Sequence, residues 1–558
     1  MPNKIPTQFI PIIACFVLAL SLSAGHSAAQ NKTRVFIFAG QSNMVGSDAH
    51  AKEIDNFPMF KGAGVEQPKV KYRYIHGEDK PANRSLEWIP LQPDKRAKFF
   101  GPELTFARTL NKQLSGRIAI VKSAWGGTTL AKDWDPDNPS NKDLFARTMR
   151  LTRDSLKNLK SKRISHELSG FFWHQGENDM LSQKLLPDYG QRLEAFIKRV
   201  RKELEKPNLP FFVGEISDKG IWGLDNRRNM QQLRAQQRAV CEKVKGVYFV
   251  ETSHLAFKVT KDGHPHYHFG TEGQLQHGMA YARAYLSSIG ESATKPIKGY
   301  GKKLPAKPGS AIRVFLVAGQ RSAEGDHSYA GELGKMKKHR SLASPQKNIP
   351  FRYFLGGGAE QSQEWIPLQP ASVNGYFGPE LSLGKSLDKG IKEPIVILKI
   401  TNSAAMLKDW LPESKDASRP QFKSACDFVK AALKDLKARG YRPRLDSLFW
   451  IPGEHDTFWG PFRKKYSEDF AVFAKAFRRE LKSKKMKIYV SEVPKKLVWG
   501  SQKIAEMNEQ LSKAVKLDRN MFLVPTTDVP CPEGSPSFGT LGSVALGKTL
   551  AKARLKKK

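Results

Sequence analysis

Residues Val35–Met44, VFIFAGQSNM, join an apolar run of β-forming residues directly to a Gly-Gln-Ser turn. Between this run and later ones, longer stretches such as residues 185–206 and 227–245 place apolar residues at helical spacing. Alternating strands and helices predict an α/β fold in which a mostly parallel sheet of about five strands lies between two layers of helices. The other predicted strands are Ile118–Val121, Gly170–Trp173, Pro210–Gly214 and Val247–Val250.

The same unit occurs twice along the chain. Residues Glu87–Pro93 (EWIPLQP) recur unchanged as Glu364–Pro370, at an offset of 364 − 87 = 277 positions. Glu177 and Glu454 keep this offset. A constant offset between matching motifs predicts two tandem three-layer α/β/α domains. The predicted boundaries are 30–290 for the first domain, 291–310 for a linker rich in Lys, Pro and Gly, and 311–558 for the second domain.

The amino-terminal residues 1–29 are typical of a signal peptide. Lys4 supplies positive charge, residues 9–22 are almost entirely apolar, and residues 27–29 are small, as at a cleavage site. The protein is therefore expected to be exported, to the periplasm or out of the cell. The cysteines outside this segment, Cys241, Cys426 and Cys531, allow one disulfide but not a disulfide-built scaffold.

The composition narrows the class of protein and of partner. Hydrophobic residues make up 40% of the 558 residues, which excludes wholesale disorder, and no apolar run is long enough to predict a membrane span. Lys and Arg exceed Asp and Glu by 92 − 54 = 38, and a field of this sign attracts polyanions. An exported chain without a nucleic-acid-binding motif favours an acidic polysaccharide or an anionic envelope surface over nucleic acid. Solvated surface charge without a partner is the alternative. The sequence does not indicate an oligomeric state.

Polar and glycine-rich motifs follow three of the predicted strands. Ser42 follows the first, Gly126 and Gly127 follow the second, and Gln175 and Glu177 follow the third. Carboxyl ends of parallel strands share one edge of the sheet, so these residues are expected to lie close together. A serine there can act as a nucleophile, backbone N–H groups or a Gln amide can donate to an oxyanion, and Glu177 can orient the amide or bind hydroxyls. Each motif alone also fits a plain turn or a helix cap.

A histidine-rich segment, Asp262–Phe269, lies late in the first unit and contains His264, His266 and His268. One of these imidazoles can supply the general base that a serine hydroxyl needs. On an extended strand all three would point to one face, which also suits a transition metal. Because no acidic or cysteine ligands cluster nearby in the sequence and the base is needed here, we predict that no metal is bound.

Together, the motifs GQSNM, GGT, WHQGEND and HF-x4-Q-x3-G resemble the SGNH hydrolase superfamily. They are most similar to its sialate O-acetylesterase-like carbohydrate esterases, which include carbohydrate esterase family six. The resemblance covers most of residues 33–287. It implies a serine esterase that removes acetyl groups from sugar hydroxyls without a metal or cofactor.

The resemblance also implies roles for individual residues. Ser42 would be the nucleophile and His268 the base. The backbone N–H groups of Ser42 and of Gly127 or Gly126 would form the oxyanion hole with the Gln175 amide. Relatives place an Asp three residues before the base, where this chain has Pro265, so Asp262 is the carboxylate expected to orient the imidazole, and His264 stays open as an alternative base. The predicted substrate-binding residues are Gln41, Asn43, Gly126 and Glu177.

The second unit lacks these chemical groups. Arg321 stands where Ser42 stands, Ser403 and Ala404 replace Gly126 and Gly127, Pro452 replaces Gln175, and Ser537 replaces His268. Because the scaffold positions persist while the chemical ones change, we predict a folded but inactive copy. Replacing Arg321 with alanine is accordingly expected to change little. The copy could support the first domain, complete its cleft or bind the same polymer.

The predicted function is that of an exported esterase acting on an acetylated glycan or a sialic-acid-type sugar. The main alternative is a non-catalytic carbohydrate-binding or cell-envelope scaffold protein built from two altered domains. A lipase or thioesterase of the SGNH type would share the mechanism and differ in substrate. Aromatic loops around Trp88, Trp125 and Trp134 favour sugar rings over acyl chains.

Overall fold

The computed structural model describes residues 32–77, 83–94, 98–137, 143–216, 226–252, 254–258, 266–291, 297–373, 375–414 and 420–556. The predicted signal peptide, Asp262 and His264 lie outside these ranges.

The first copy forms a seven-stranded sheet in the order β3-β2-β4-β1-β5-β6-β7. All neighbouring strands run parallel except β2 and β3, which are antiparallel. The strands are β1 (Thr33–Gly40), β2 (Gln67–Gly77), β3 (Asn83–Leu91), β4 (Ile118–Trp125), β5 (His166–His174), β6 (Phe211–Gly214) and β7 (Val247–Val250).

Helices cover both faces of this sheet. Phe36 and Phe38 of β1 pack on one side, and Ile37 and Ala39 pack on the other, as the alternation of side chains along a strand requires. The helices are α1 (Ser42–Val45), α2 (Glu103–Gln113), α3 (Leu144–Ser161), α4 (Glu177–Met180), α5 (Tyr189–Glu203), α6 (Arg227–Lys243) and α7 (Gly270–Ser288).

The second copy repeats this architecture with an eight-stranded sheet in the order β10-β9-β12-β8-β13-β14-β15, to which β11 pairs through β9. Its strands are β8 (Ala311–Gly319), β9 (Gln346–Leu355), β10 (Glu360–Gln361), β11 (Ile366–Leu368), β12 (Ile395–Thr401), β13 (Arg442–Ile451), β14 (Lys487–Ser491) and β15 (Met521–Val524). Its helices are α8 (Arg321–Glu324), α9 (Ala330–Lys335), α10 (Glu380–Gly390), α11 (Phe422–Ala438), α12 (Glu454–Phe458), α13 (Gly460–Glu480), α14 (Ser501–Lys516) and α15 (Gly539–Lys556).

The predicted α/β class and tandem organisation are confirmed, but each sheet is larger than the predicted five strands. All five predicted strands form, as β1, β4, β5, β6 and β7. The missed strands β2 and β3 lie at one edge of the sheet, and their residues are largely half-buried or exposed. β3 is an edge strand and β2 lies between it and β4, and both keep polar residues where they are only partly buried. They therefore lack the continuous apolar run that marks a buried parallel strand.

A buried ion pair supports the turn that carries Ser42. The Lys122 ammonium lies 2.9 Å from the Glu103 carboxylate and also donates to the Val45 carbonyl at the end of α1 (3.0 Å). The second copy keeps the arrangement, with Lys399 3.0 Å from Glu380. The scaffold beneath the turn has therefore been retained in both copies.

Part of the predicted linker is structured. Leu304 is buried in the core of the second copy, and the Tyr300 hydroxyl donates to the Lys347 carbonyl at 2.7 Å. Residues 297–310 therefore pack on the second domain.

The three cysteines outside the signal segment are free thiols, so the disulfide that the sequence allows is absent. Within the described ranges, none of the helices combines the length and the apolar character needed to cross a bilayer.

Candidate active site

Ser42 is the first residue of α1 and lies directly beyond the carboxyl end of β1. Gly40, two residues earlier, has φ +148°, and a Cβ there would lie 2.1 Å from the His174 carbonyl oxygen at the end of β5. Only glycine allows this close approach of the two strand ends. The tight turn therefore places Ser42 at the edge where the β4 and β5 motifs also end, as predicted.

His268 is held by Asp48. Its Nδ1 lies 2.8 Å from Asp48 Oδ2, and the Lys258 ammonium lies 2.9 Å from the other oxygen of this carboxylate. The hydrogen bond with His268 holds the pKa of Asp48 well below its usual range, and Lys258 adds to this against the opposing effect of partial burial. Asp48 is thus an anion that faces one nitrogen of the imidazole. The other nitrogen, Nε2, is buried and has no hydrogen-bond partner among the described residues.

The residue next to Ser42 contacts both neighbours of His268. Asn43 Nδ2 donates to the Tyr267 carbonyl at 3.2 Å, and its Oδ1 accepts from the Phe269 N–H at 3.2 Å. Two hydrogen bonds from one amide thus flank the imidazole-bearing residue. They bring the segments of Ser42 and His268 together although the sequence separates them by more than 200 residues.

Asp48 was not among the predicted residues, because relatives place the carboxylate shortly before the base and Asp262 is the Asp nearest to that position. Asp48 lies six positions after Ser42, in the left-handed conformation (φ +63°), which Asp adopts more readily than most residues. The repeat contained one signal that could have identified Asp48. When Val35–Met44 and its counterpart are aligned, Asp48 falls opposite His327, so this position also changes in the second copy.

The predicted substrate-binding residues Gln41, Asn43 and Glu177 are all buried and use their polar groups within the domain. Asn43 Nδ2 donates to Glu177 Oε1 at 2.8 Å, and Gln41 Nε2 donates to Asn178 at 3.0 Å. Burial alone would raise the pKa of Glu177, but its contacts with His174 and Asn43 outweigh burial and lower it. The side chains of Gln41 and Asn43 therefore position the turn. Glu177 contributes to it through Oε1, while its Oε2 is buried and has no hydrogen-bond partner among the described residues.

Some of the predicted oxyanion donors already have hydrogen-bond acceptors within the domain. The Gln175 amide nitrogen is fully buried and lies 2.6 Å from Asp179 Oδ2 and 3.0 Å from the Thr128 carbonyl. Both of its N–H groups therefore have acceptors, which removes Gln175 from the predicted oxyanion hole. The Gly126 N–H donates to the Gly77 carbonyl at 2.8 Å and is also committed.

Gly127 and Ser42 keep free backbone donors. Gly127 is exposed with φ +66°, and a Cβ there would have no neighbour within 4 Å. Its N–H has no acceptor among the described residues. The Ser42 N–H begins a helix, where backbone N–H groups have no intrahelical acceptor.

His266 extends the cluster. Ligand atoms of Asp48, His266 and His268 lie within 4.8 Å of one another, a donor set that a transition metal could also use. Burial and the neighbouring His268 lower the pKa of His266 to about 4, so it is neutral at physiological pH. The prediction that the protein uses no metal stays a prediction.

The tryptophans that favoured a sugar in the sequence lie mostly in the core. Trp134 is fully buried, and Trp125 is buried beneath the Arg147 guanidinium, 4.7 Å from its ring centroid. Trp88 alone of the three is partly exposed.

The corresponding region of the second copy contains buried acids. Burial raises the pKa of Glu454 to about 7 and that of Asp456 to about 8. Glu454 aligns with Glu177, and Asp456 aligns with Asp179. The region is closed to solvent, since Arg321, Glu454 and Asp456 are each at most 2% exposed.

These acids predict that stability falls as the pH rises from 6 to 8.5. Both are protonated in the folded chain at pH values where the unfolded chain has released the proton. Each group then removes about 1.4 kcal/mol of unfolding free energy per pH unit until its folded pKa is passed. The midpoint of thermal unfolding, measured by calorimetry, should fall across this range.

The matched control is Asp456→Asn, which cannot ionise and should flatten the pH dependence of the unfolding midpoint. A wild-type midpoint that is constant or rises between pH 6 and 8.5 would contradict the assignment.

Comparison with known proteins shows the family of the chain. The family model described as carbohydrate esterase, sialic acid-specific acetylesterase matches residues 32–287 and again residues 311–556. An Arabidopsis thaliana protein named "Probable carbohydrate esterase" is 27% identical over 272 residues, which cover 46% of this chain and 91% of that protein.

Two solved structures are also similar. An Arabidopsis thaliana protein is 23% identical with a TM-score of 0.34, and the match covers 46% of this chain and 98% of that one. A carbohydrate acetylesterase from Xanthomonas citri is 16% identical with a TM-score of 0.32, and the match covers 47% and 57% of the two chains. The family matches span most of the chain, and both fall on a complete α/β domain. The chain therefore belongs to the carbohydrate esterase family of sialic acid-specific acetylesterases and contains two copies of its domain.

Proposed function

We propose that the first copy is a serine esterase that removes acetyl groups from sugar hydroxyls. The observation that carries the proposal is the His268–Asp48 pair, 2.8 Å apart, on a segment that is hydrogen-bonded to the neighbour of Ser42. Asp48 fixes the tautomer in which Nδ1 carries the proton, so the unpartnered Nε2 can accept one. Serine, histidine and carboxylate then have the roles that acyl transfer requires.

The reaction follows from these positions. Ser42 Oγ attacks the acetyl carbonyl carbon while its proton passes to His268 Nε2, and the carbonyl oxygen becomes an oxyanion facing the N–H groups of Ser42 and Gly127. The C–O bond to the sugar breaks, and the sugar oxygen takes the proton from His268. Water then attacks the acetyl-serine, His268 accepts its proton, and acetate leaves as Ser42 is restored.

The proposed substrate is an acetylated glycan that carries negative charge, encountered outside the cytoplasm after export. The net charge of +38 supports this substrate. A groove of about 1310 Å³ in the second copy supports it further, because exposed cations line it. Among them are Arg444, Lys475, Arg479, Lys482, Lys484 and Lys485.

The function is tested by measuring acetate release from acetylated xylan, O-acetylated sialoglycan and an acetylated uronic-acid polymer. The acyl class is tested with 4-nitrophenyl acetate and 4-nitrophenyl palmitate. Release of acetate from at least one glycan, with acetate preferred over palmitate, is expected. Preference for palmitate would support the lipase alternative, and no hydrolysis of any ester would refute the proposal.

The basic groove predicts salt-dependent binding. Lys482→Glu combined with Lys485→Glu should weaken binding of a uronic-acid polymer by roughly tenfold or more at low salt, because two attractive charges become repulsive. Binding is measured by isothermal titration at several salt concentrations, with Lys337→Glu combined with Lys338→Glu as a control of equal charge outside the groove. Equal weakening by both pairs would mean that net charge, and not the groove, attracts the polymer.

A further inference from the structure

The position in the second copy that corresponds to Ser42 is occupied by a buried cation. Arg321, 1% exposed, is the first residue of α8, as Ser42 is of α1. Its guanidinium lies 2.8 Å from Asp326 and 4.3 Å from the centroid of the Phe257 ring. Phe257 belongs to the first copy, between β7 and α7. A residue of the first copy therefore sits in the altered site of the second.

Phe257 is part of the core of the second copy. It is 7% exposed, and its ring also lies 5.4 Å from that of His455 in the WIPGEHD motif. His455 aligns with Asn178 of the first copy, beside the catalytic edge of that sheet. The Phe257 ring is thus enclosed between two motifs that correspond to the catalytic motifs of the first copy.

The residue after Phe257 holds the histidine segment. The Lys258 carbonyl accepts from the His266 N–H at 2.8 Å, the Lys258 N–H donates to the His268 carbonyl at 3.3 Å, and the Lys258 ammonium pairs with Asp48. A short chain of contacts therefore runs from the buried ring of Phe257 to both members of the His268–Asp48 pair.

A second anchor lies four residues after His268. Glu272 of α7 accepts from the hydroxyls of Tyr329 and Tyr376, both at 2.5 Å, and pairs with His327 Nε2 at 3.1 Å. All three partners belong to the second copy. Burial alone would lower the pKa of His327, but the Glu272 charge outweighs burial and raises it.

The two positions that lost the catalytic pair now contact each other. His327 aligns with Asp48 and Ser537 aligns with His268, and His327 Nδ1 lies 3.2 Å from Ser537 Oγ. The other nitrogen of His327 faces Glu272. The substitutions that removed catalysis from the second copy thus supply contacts to the first.

We propose that the altered site of the second copy is a socket that positions the catalytic histidine segment of the first copy. Phe257 and Glu272 are its two anchors, and both are positioning residues that act through Lys258 and His268. This inference rests on the proposed function of Ser42 and His268. It predicts, in contrast to the expectation from the sequence, that replacing Arg321 affects the first copy, because Arg321 forms one wall of the socket.

The inference is tested with Phe257→Ala in the full chain. We expect kcat for 4-nitrophenyl acetate to fall by roughly ten- to a hundredfold, since a misplaced base slows proton transfer, while KM changes less than threefold. Phe257→Leu, which keeps most of the apolar volume, should restore most of kcat and guards against loss through misfolding. Met59→Ala is the control, because Met59 also belongs to the first copy and lies beside Gly375 of the second copy.

Hydrogen–deuterium exchange separates this inference from the proposed function. Peptides covering residues 266–272 should exchange faster in Phe257→Ala than in wild type or Met59→Ala, whether or not an ester is hydrolysed. Unchanged exchange together with kcat within threefold of wild type would overturn the socket. An inactive wild type with faster exchange in Phe257→Ala would instead refute the catalytic proposal and leave the socket standing.

Discussion

Replacing Ser42 with alanine should lower the turnover of an acetyl ester by at least about 10⁴-fold. The variant is expected to keep the fold, because the structure shows no hydrogen bond from Ser42 Oγ to another described residue, and Asn43, not Ser42, ties the turn to Glu177. It loses the oxygen that forms the acyl intermediate, so only uncatalysed attack by water, aided by the backbone donors, remains. Initial rates with 4-nitrophenyl acetate and acetate release from the best glycan substrate measure the effect.

Ser47→Ala is the matched control for this prediction. Ser47 lies five positions along the same segment, is also buried, and has a hydroxyl without a hydrogen-bond partner among the described residues. Its variant should hydrolyse the ester within a few-fold of wild type. A fluorophosphonate probe should label wild type and Ser47→Ala but not Ser42→Ala. If Ser42→Ala kept wild-type turnover, or the probe labelled another serine, the assignment of Ser42 as the nucleophile would be wrong.

The fold could be predicted from the sequence wherever burial imposes a pattern. Strands β1, β4, β5 and β6 are buried over most of their length and largely apolar, so they stood out as short runs. The edge strand β7 stood out through its apolar sequence VYFV, although Tyr248 is exposed. The constant offset between copies carried this prediction to the second domain. Strand β2 has the sequence QPKVKYRYIHG, whose Lys and Arg residues gave no such signal. Partial burial at a sheet edge permits these residues.

The candidate site was predicted less completely than the fold. A contact between two distant segments produces no recognisable pattern in the sequence of either segment. Ser42 and His268 were predicted from local motifs. The Asp48–His268 contact joins residues 220 positions apart and appears only when the strands are assembled. Conversely, Asn43 and Glu177 were interpreted as sugar ligands because polar residues at strand ends often bind substrate. Their contact with each other shows the other use of such residues, which is to fix a tight turn.

The role of the second copy also depended on the structure. Its sequence showed which groups were lost, and three uses of an inactive copy remained open. The proposed socket around Phe257 favours support of the first domain, and it rests on burial and contact, neither of which a list of substitutions contains. The repeat nevertheless contained a signal of this contact. His327 and Ser537, which contact each other, align with Asp48 and His268, which are paired in the first copy.

Replacing Asp48 with asparagine should lower kcat by about 10³- to 10⁴-fold, whereas Asp262→Asn should leave it within threefold of wild type. The amide that replaces the Asp48 carboxylate can donate its N–H to Nδ1, which favours the tautomer with the proton on Nε2 and leaves no acceptor for the Ser42 proton. Asp262 was the carboxylate predicted from the sequence. Comparing kcat of the two variants therefore tests whether Asp48 or Asp262 orients the imidazole. The reverse result would return the orienting role to Asp262.

Loss of the Lys258 contact must be separated from loss of the correct tautomer, because Asp48→Asn weakens both. Lys258→Met removes the ammonium and keeps the carboxylate, so the imidazole retains its orientation. We expect this variant to lose less than about tenfold in kcat, far less than Asp48→Asn. Similar losses of kcat in the two variants would mean that Asp48 acts by fixing the loop, because a purely structural ion pair is lost equally when either partner is replaced.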